Sequence, residues 1–82
     1  MEVTVLLFGP QADLAGAREL RLDTPRDRPT AGEVLSAIGV AAPALTGSLN
    51  VSRLAVNHEF VAADRPISPG DEVALIGMVS GG

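Results

Sequence analysis

The fold is constrained most by two apolar segments, one at each end of the chain. Residues Glu2 to Phe8 and Glu72 to Val79 carry apolar side chains at both odd and even positions. Because successive side chains of a strand point to opposite faces, this pattern is typical of a strand in the middle of a sheet. We therefore expect the first and last strands to lie side by side at the sheet centre.

A second strand and one helix are predicted after the first segment. Residues Ala17 to Thr24 alternate between apolar and charged side chains, which indicates a half-exposed strand antiparallel to the first. Thr30-Ala31-Gly32-Glu33 matches a capping box, in which Thr30 begins a helix and Glu33 reaches back to it. Gly39 is expected to end this helix after about ten residues.

The remaining segments predict two loops and a hairpin. Gln11 to Gly16 and Val40 to Ser52 are expected to be loops, the second with one helical turn at most. Arg53 to Asn57 predicts a strand, Asn57-His58-Glu59 a turn, and Phe60-Val61 a short return strand. The fold class is then α+β, with a mixed sheet of four to five strands packed on one helix in two layers.

Chain length limits what such a fold can enclose. The 82 residues predict a single domain over residues 1–82, with residues 80–82 as a flexible C-terminal tail. A chain of this size buries roughly 60% of its extended surface on folding, enough for one modest core. A large cleft within one subunit is not expected, so a partner should supply most of any active site.

Composition excludes several kinds of site. The chain has no cysteine, which rules out disulfides, thiolate zinc sites, cysteine-held iron–sulfur clusters and a cysteine nucleophile. With one histidine, His58, a multi-histidine metal site is also excluded, and no metal is expected. His58 falls in a predicted turn, where a surface role is favoured over that of a catalytic base. All six cationic residues are arginines, so lysine chemistry is absent.

The charge balance bears on partners and location. A net charge of −4 with no basic stripe argues against nucleic-acid binding and favours docking onto a basic protein surface. The apolar runs fall far short of the roughly 20 residues that cross a membrane. The first residues lack the basic segment of a signal peptide. We therefore expect a cytoplasmic protein without membrane contact.

The C-terminal Gly81-Gly82 pair is the feature that suggests chemistry. A frayed end is the plain interpretation, but a frayed end does not need glycine. Two residues without side chains can instead thread a narrow channel in another protein. The terminal carboxylate is unhindered but is an anion at neutral pH, so it must be activated, for instance as an acyl-adenylate, before a nucleophile can attack.

These segments together resemble the β-grasp (ubiquitin-like) sulfur carriers of the MoaD/ThiS type, and within them the small subunits of molybdopterin synthase. The resemblance covers nearly the whole chain. Each turn motif alone is a weak indicator of this family, but the motifs together, at this spacing, are fairly specific for it. The matching segments are Val5-Leu6-Leu7-Phe8, Leu14-Ala15-Gly16, Thr30, Leu54-Ala55-Val56-Asn57, Pro69-Gly70-Asp71-Glu72-Val73 and Val79-Ser80-Gly81-Gly82.

The resemblance implies a carrier that is not itself an enzyme. In such proteins an E1-like adenylyltransferase uses ATP to activate the terminal glycine, and sulfur then gives a thiocarboxylate. The large subunit of molybdopterin synthase, in a heterotetramer, uses this sulfur to convert cyclic pyranopterin monophosphate to a dithiolene. Gly82 would carry the sulfur and Gly81 would give the tail clearance, with no bound cofactor. The implied partner-binding residues are Phe60, Ile76, Met78, Val79 and Ser80.

Other functions stay open at this point. The chain could supply sulfur for thiamin, for tRNA thiolation or for an amino acid pathway, or it could be a ubiquitin-like modifier. It could also be a plain interaction module in which the glycine pair is incidental. Missing cysteine means that a carrier role must use the C-terminus, because a persulfide cannot form on the chain.

Overall fold

The structure is a computed structural model that describes residues 1–78, so the predictions for Val79, Ser80, Gly81 and Gly82 lie outside the described residues. Five strands, two α-helices and one 3-10 helix make up this part of the chain. In chain order they are β1 (Glu2–Leu6), α1 (Gly9–Ala15), β2 (Glu19–Asp23), α2 (Ala31–Ala41), the 3-10 helix (Pro43–Val51), β3 (Ser52–Val56), β4 (Glu59–Phe60) and β5 (Val73–Gly77).

The strands form one mixed sheet in the order β2-β1-β5-β3-β4. β1 is antiparallel to β2 and parallel to β5, where Val5 pairs with Val73 and Leu6 with Ala74. β3 is antiparallel to β5 and forms a hairpin with β4. The prediction that the first and last strands lie side by side is confirmed, as is the α+β architecture with a β-grasp fold.

The core lies between one sheet face and α2. The capping box holds the start of α2, since Glu33 N–H donates to Thr30 Oγ1 at 3.2 Å and Thr30 N–H donates to Glu33 Oε1 at 2.9 Å. The second of these bonds lowers the pKa of the Glu33 carboxyl. Val34 and Ile38 of α2 are fully buried. The sheet meets them with inward-facing, buried side chains, namely Val3, Val5, Leu22, Leu54, Val56, Val73 and Leu75.

The prediction of a loop over Gln11 to Gly16 is wrong, because α1 occupies it. Pro10 lies in the first turn of α1, where its missing N–H costs no hydrogen bond. Gly16 ends the helix in a left-handed conformation, at φ 69°, and its N–H turns back to carbonyl groups of the last turn. The sheet therefore carries α1 and the 3-10 helix in addition to the one helix predicted.

The predicted end of α2 at Gly39 is also wrong, since the helix continues to Ala41. Gly39 serves a different purpose, because a Cβ at this position would lie 3.0 Å from Leu49 Cδ1. The missing side chain lets the 3-10 helix approach α2 closely. This 3-10 helix covers nine residues of the segment in which at most one turn was expected, and it buries Leu45 completely.

The β3–β4 turn is tighter than predicted. Asn57 and His58 alone form it, so β4 is Glu59–Phe60 where the sequence predicts Phe60-Val61. Both turn residues are left-handed, with φ 53° and 69°, as a two-residue hairpin turn requires. Among residues 1–78, no helix is both long and apolar enough to cross a membrane.

Candidate functional site

The sheet face turned away from α2 carries an uncovered apolar patch. Strand alternation that buries Val73 and Leu75 against the core turns their neighbours outward. We name the outward residues Phe8, Ala55, Phe60, Ala74 and Ile76 the outer patch. They line an open hollow of about 310 Å³ with His58 and Glu72 at its rim. Phe8 is 54% and Phe60 48% exposed, so two aromatic rings of a small domain face outward together.

The Phe60 ring is held in place by its neighbours on β3. Phe60 pairs with Ala55 across the hairpin, and the Arg53 guanidinium carbon lies 5.1 Å from the centre of the Phe60 ring. This distance is within the range of a cation–π interaction. This contact favours one orientation of the ring, which lowers the entropy that binding must overcome.

A hydrogen-bonded clamp fixes the hairpin turn against the start of β5. Asn57 Nδ2 donates to Asp71 Oδ1 at 3.0 Å, and Glu72 N–H donates to Asn57 Oδ1 at 3.0 Å. Asp71 Oδ2 also accepts the Ser68 N–H at 2.8 Å. These bonds give a structural reason for the presence of both Asn57 and the Gly70-Asp71-Glu72 turn in the sequence. They hold the rim of the outer patch rigid.

His58 lies at this rim. Its Nε2 is 3.2 Å from Glu72 Oε2, and its side chain is 84% exposed. The predicted position of His58 on a surface turn is confirmed, and its role stays a prediction. The Glu72 contact is an addition that sequence spacing did not indicate.

The clamp predicts a pH dependence of stability. The Ser68 N–H bond, aided by Asn57, lowers the pKa of the Asp71 carboxyl below its ordinary value. A lowered folded-state pKa contributes stability above the unfolded-state pKa of about 3.9, and this contribution is lost as pH falls through the folded-state pKa. In urea unfolding, wild type should exceed Asp71→Ala in stability at pH 7, and the gap should shrink below about pH 4. A gap that stays constant with pH would contradict the clamp.

The predicted site residues divide into three groups. Phe60 and Ile76 lie together in the outer patch, as their implied docking role requires. Met78 follows β5, is 43% exposed, and donates its N–H to Val51 O at 2.7 Å. Val79, Ser80, Gly81 and Gly82 lie outside the described residues, so their implied roles stay predictions.

Sequence reasoning missed Phe8 and a second groove beside the patch. Phe8 follows β1 on its outward side, a position that strand alternation could have indicated. The groove, of about 340 Å³, is lined by both α1 and the end of β5, and it shares Phe8 and Ile76 with the outer patch. Leu14 and Val51 line it, and both are more than half exposed. No sequence signal pointed to this groove, because α1 itself was not predicted.

Comparison with protein families and known proteins identifies relatives of this chain. Residues 5–82 match the model of the ThiS family. The chain is 34% identical over 80 residues to the molybdopterin synthase sulfur carrier subunit of Dictyostelium discoideum, covering 95% of this chain and 93% of that protein.

Solved structures also resemble the fold. The crystal structure of SAMP1, the small archaeal modifier protein 1 of Haloferax volcanii, superposes with a TM-score of 0.82 and 33% identity over all of both chains. A complex of subunits 1 and 2 of the molybdopterin-converting factor of Helicobacter pylori includes a chain with a TM-score of 0.69 and 25% identity, again over all of both chains.

Proposed function

Because this chain belongs to the ThiS family, we propose that it is the sulfur carrier of molybdenum cofactor biosynthesis. The outer patch is the structural observation that carries this proposal. Monomeric proteins rarely leave aromatic and aliphatic side chains together on an open sheet face unless a partner covers them. This patch includes Ile76, near the end of β5 and six residues before Gly82. A protein that grips the patch therefore has the C-terminus within reach.

The proposed chemistry takes place on the carboxylate of Gly82. In an E1-like adenylyltransferase, a carboxylate oxygen attacks the α-phosphorus of ATP, forming an acyl-adenylate and releasing pyrophosphate. Sulfide then attacks the acyl carbon and expels AMP, leaving a thiocarboxylate and one proton. The domain supplies no catalytic side chain and no bound cofactor. Its contribution is to dock as a rigid body, which converts a bimolecular encounter into a positioned reaction.

The proposed receiver of the sulfur is the large subunit of molybdopterin synthase, in a heterotetramer. Support comes from the relatives, since one is named a molybdopterin synthase sulfur carrier subunit and another chain was solved with subunit 2 of its converting factor. In this complex the tail would enter the large subunit, and sulfur would pass to cyclic pyranopterin monophosphate. Phe8, Phe60 and Ile76 would face the large subunit, with Met78 at the start of the tail.

Intact mass measures the first half of this function. With a cognate E1-like enzyme, ATP and sulfide, the chain should gain the mass difference of one oxygen exchanged for sulfur. Omitting ATP is the matched control and should leave the mass unchanged, because sulfide cannot displace oxide from a carboxylate. An unchanged mass in the complete reaction, with an enzyme proven active on another carrier, would contradict the carrier function.

A modifier role is the second candidate, because SAMP1 is 33% identical over the full chain. Both roles share the adenylate and separate afterwards, when the acyl group meets either sulfide or a lysine amine of another protein. The chain itself has no lysine, so copies of it cannot be linked to one another by isopeptide bonds to lysine side chains. Dithiolene formation with a large subunit and cyclic pyranopterin monophosphate supports the first role. Thiocarboxylate without dithiolene, together with isopeptide-linked conjugates, supports the second.

A further inference from the structure

A buried polar network lies where β5 ends. The structure describes three buried polar residues, and two of them, Gln11 and Ser52, bond to each other here. Gln11 Nε2 donates to Ser52 Oγ at 2.7 Å and to Ser48 Oγ at 3.4 Å. Ser52 Oγ in turn donates to Ser48 O at 2.7 Å, and Ser48 Oγ donates to Leu45 O at 2.9 Å. The network therefore joins α1, the 3-10 helix and β3.

The Gln11 carboxamide also faces the last residue of β5, Gly77. Ser52 is the sheet partner of Gly77, and a Cβ on Gly77 would meet the Gln11 carboxamide carbon, nitrogen and oxygen at 3.7 Å each. Pairing between β1 and β5 ends at Leu6 and Ala74. Beyond that point Gln11 of α1 lies on the side of β5 that β1 has left.

An amide is a costly choice for this position if packing is its only task. Leu45 and Leu75 nearby are fully buried, and a leucine in place of Gln11 would avoid the desolvation of a polar group. Unlike a leucine, the amide forms directional hydrogen bonds. These bonds fix the separation and orientation of the elements they join. One of the joined elements, β3, pairs through Ser52 with Gly77, the residue at which the chain leaves the sheet.

We propose that Gln11 is a positioning residue for the C-terminal glycine. Through Ser48 and Ser52 it holds the segment to which Gly77 and Met78 bond, and so sets the direction in which the chain leaves β5. This inference rests on the proposed function, in which Gly82 must reach a reacting phosphate or acyl acceptor in a partner. A misplacement of about 1 Å remote from the chemistry can cost on the order of a hundredfold in rate. The outer patch then serves affinity, and the Gln11 network serves the reaction after docking.

Steady-state kinetics of adenylation separate these two contributions. With the E1-like enzyme and ATP, Gln11→Leu should lower kcat about tenfold and leave the KM for the carrier unchanged within about twofold. Gln11→Leu/Ser52→Ala removes both polar partners, so it should regain stability while kcat stays low. Thr24→Val is the matched control, because Thr24 is the third buried polar residue and lies beside Met1, where its hydroxyl donates to Met1 O at 3.0 Å. It should lower stability and leave kcat unchanged.

Two kinetic results would overturn the inference. Either kcat follows stability, so that the double variant regains wild-type kcat, or Gln11→Leu changes KM alone, which would make Gln11 part of the docking surface. Amide hydrogen exchange tests the inference without any enzyme. Exchange of the Met78 N–H, bonded to Val51 O, should accelerate about tenfold more in Gln11→Leu than exchange of the core amides of β3, which reports the loss of global stability.

The exchange measurement keeps the two proposals apart. A Met78 exchange rate that rises no more than that of the core amides overturns the role of Gln11 even where wild type is adenylated normally. Failure of wild type to be adenylated overturns the proposed function. In that case a selectively accelerated Met78 exchange in Gln11→Leu would still support Gln11 as the residue that holds the chain exit.

Discussion

Removing Gly82 is expected to abolish sulfur loading while leaving the fold intact. The reacting carboxylate would move back along the chain by one residue, a shift of up to about 3.5 Å. Because a misplacement of about 1 Å can cost a hundredfold, adenylation should fall by at least about a hundredfold. The measurement is pyrophosphate release with the E1-like enzyme, together with the intact mass after addition of sulfide.

Stability and docking provide the controls for this deletion. The described core lies between Val3 and Leu75, so the unfolding midpoint of the shortened chain should equal that of wild type. Affinity for the E1-like enzyme should fall far less than the rate, since the outer patch is unchanged. A shortened chain that still gains sulfur at the wild-type rate would exclude Gly82 as the carrier and favour the plain interaction module.

The central pair of strands could be predicted because alternation and apolar content are local properties of the chain. Residues 2–8 and 72–79 were predicted as neighbouring central strands, and β1 and β5 are neighbours. The same reasoning could not tell what covers the second face. An interior strand and an interface strand both carry apolar residues on two faces, and only the fold shows that the Phe8 and Ile76 side is open.

The sequence analysis missed the two elements in which apolar residues do not recur with a helical period. The side chain that α1 buries is that of Gln11, a polar residue, so no stripe marks the helix. Its signals were Pro10 in the first turn and Gly16 at the end, which equally fit a loop. The 3-10 helix is rich in small residues and buries only Leu45. Tertiary packing against α2, eased by Gly39, forms it.

Candidate site residues came largely from resemblance, because their contacts cross long sequence separations. The bond between Asn57 and Asp71 joins residues 14 apart, and that between Gln11 and Ser52 joins residues 41 apart. Nothing in local spacing predicts either bond. The resemblance supplied Phe60 and Ile76, and the structure added Phe8 and the positioning network.

Truncating Phe60 is expected to weaken docking to the large subunit about thirtyfold or more, which corresponds to about 2 kcal/mol. Aromatic side chains at the centre of an interface commonly contribute this much. The Arg53 contact favours one orientation of the Phe60 ring, which reduces the ordering entropy that opposes binding. Phe60→Ala should therefore raise the dissociation constant measured by isothermal titration calorimetry. It should also reduce the negative heat-capacity change that accompanies burial of the patch.

Val40→Ala is the matched control, because Val40 is another exposed apolar residue but belongs to α2. Val40 is 83% exposed, whereas Phe60 is 48% exposed, so removal of general surface hydrophobicity would affect Val40→Ala at least as strongly. We expect the Val40 variant to bind like wild type. Equal affinities for the Phe60 variant and wild type would exclude the outer patch as the docking surface, even if Gly82 still accepts sulfur. Equal losses for both variants would indicate non-specific association. A loss confined to Phe60→Ala, with Gly82 still adenylated at saturating carrier, would assign affinity to the sheet face and chemistry to the C-terminus.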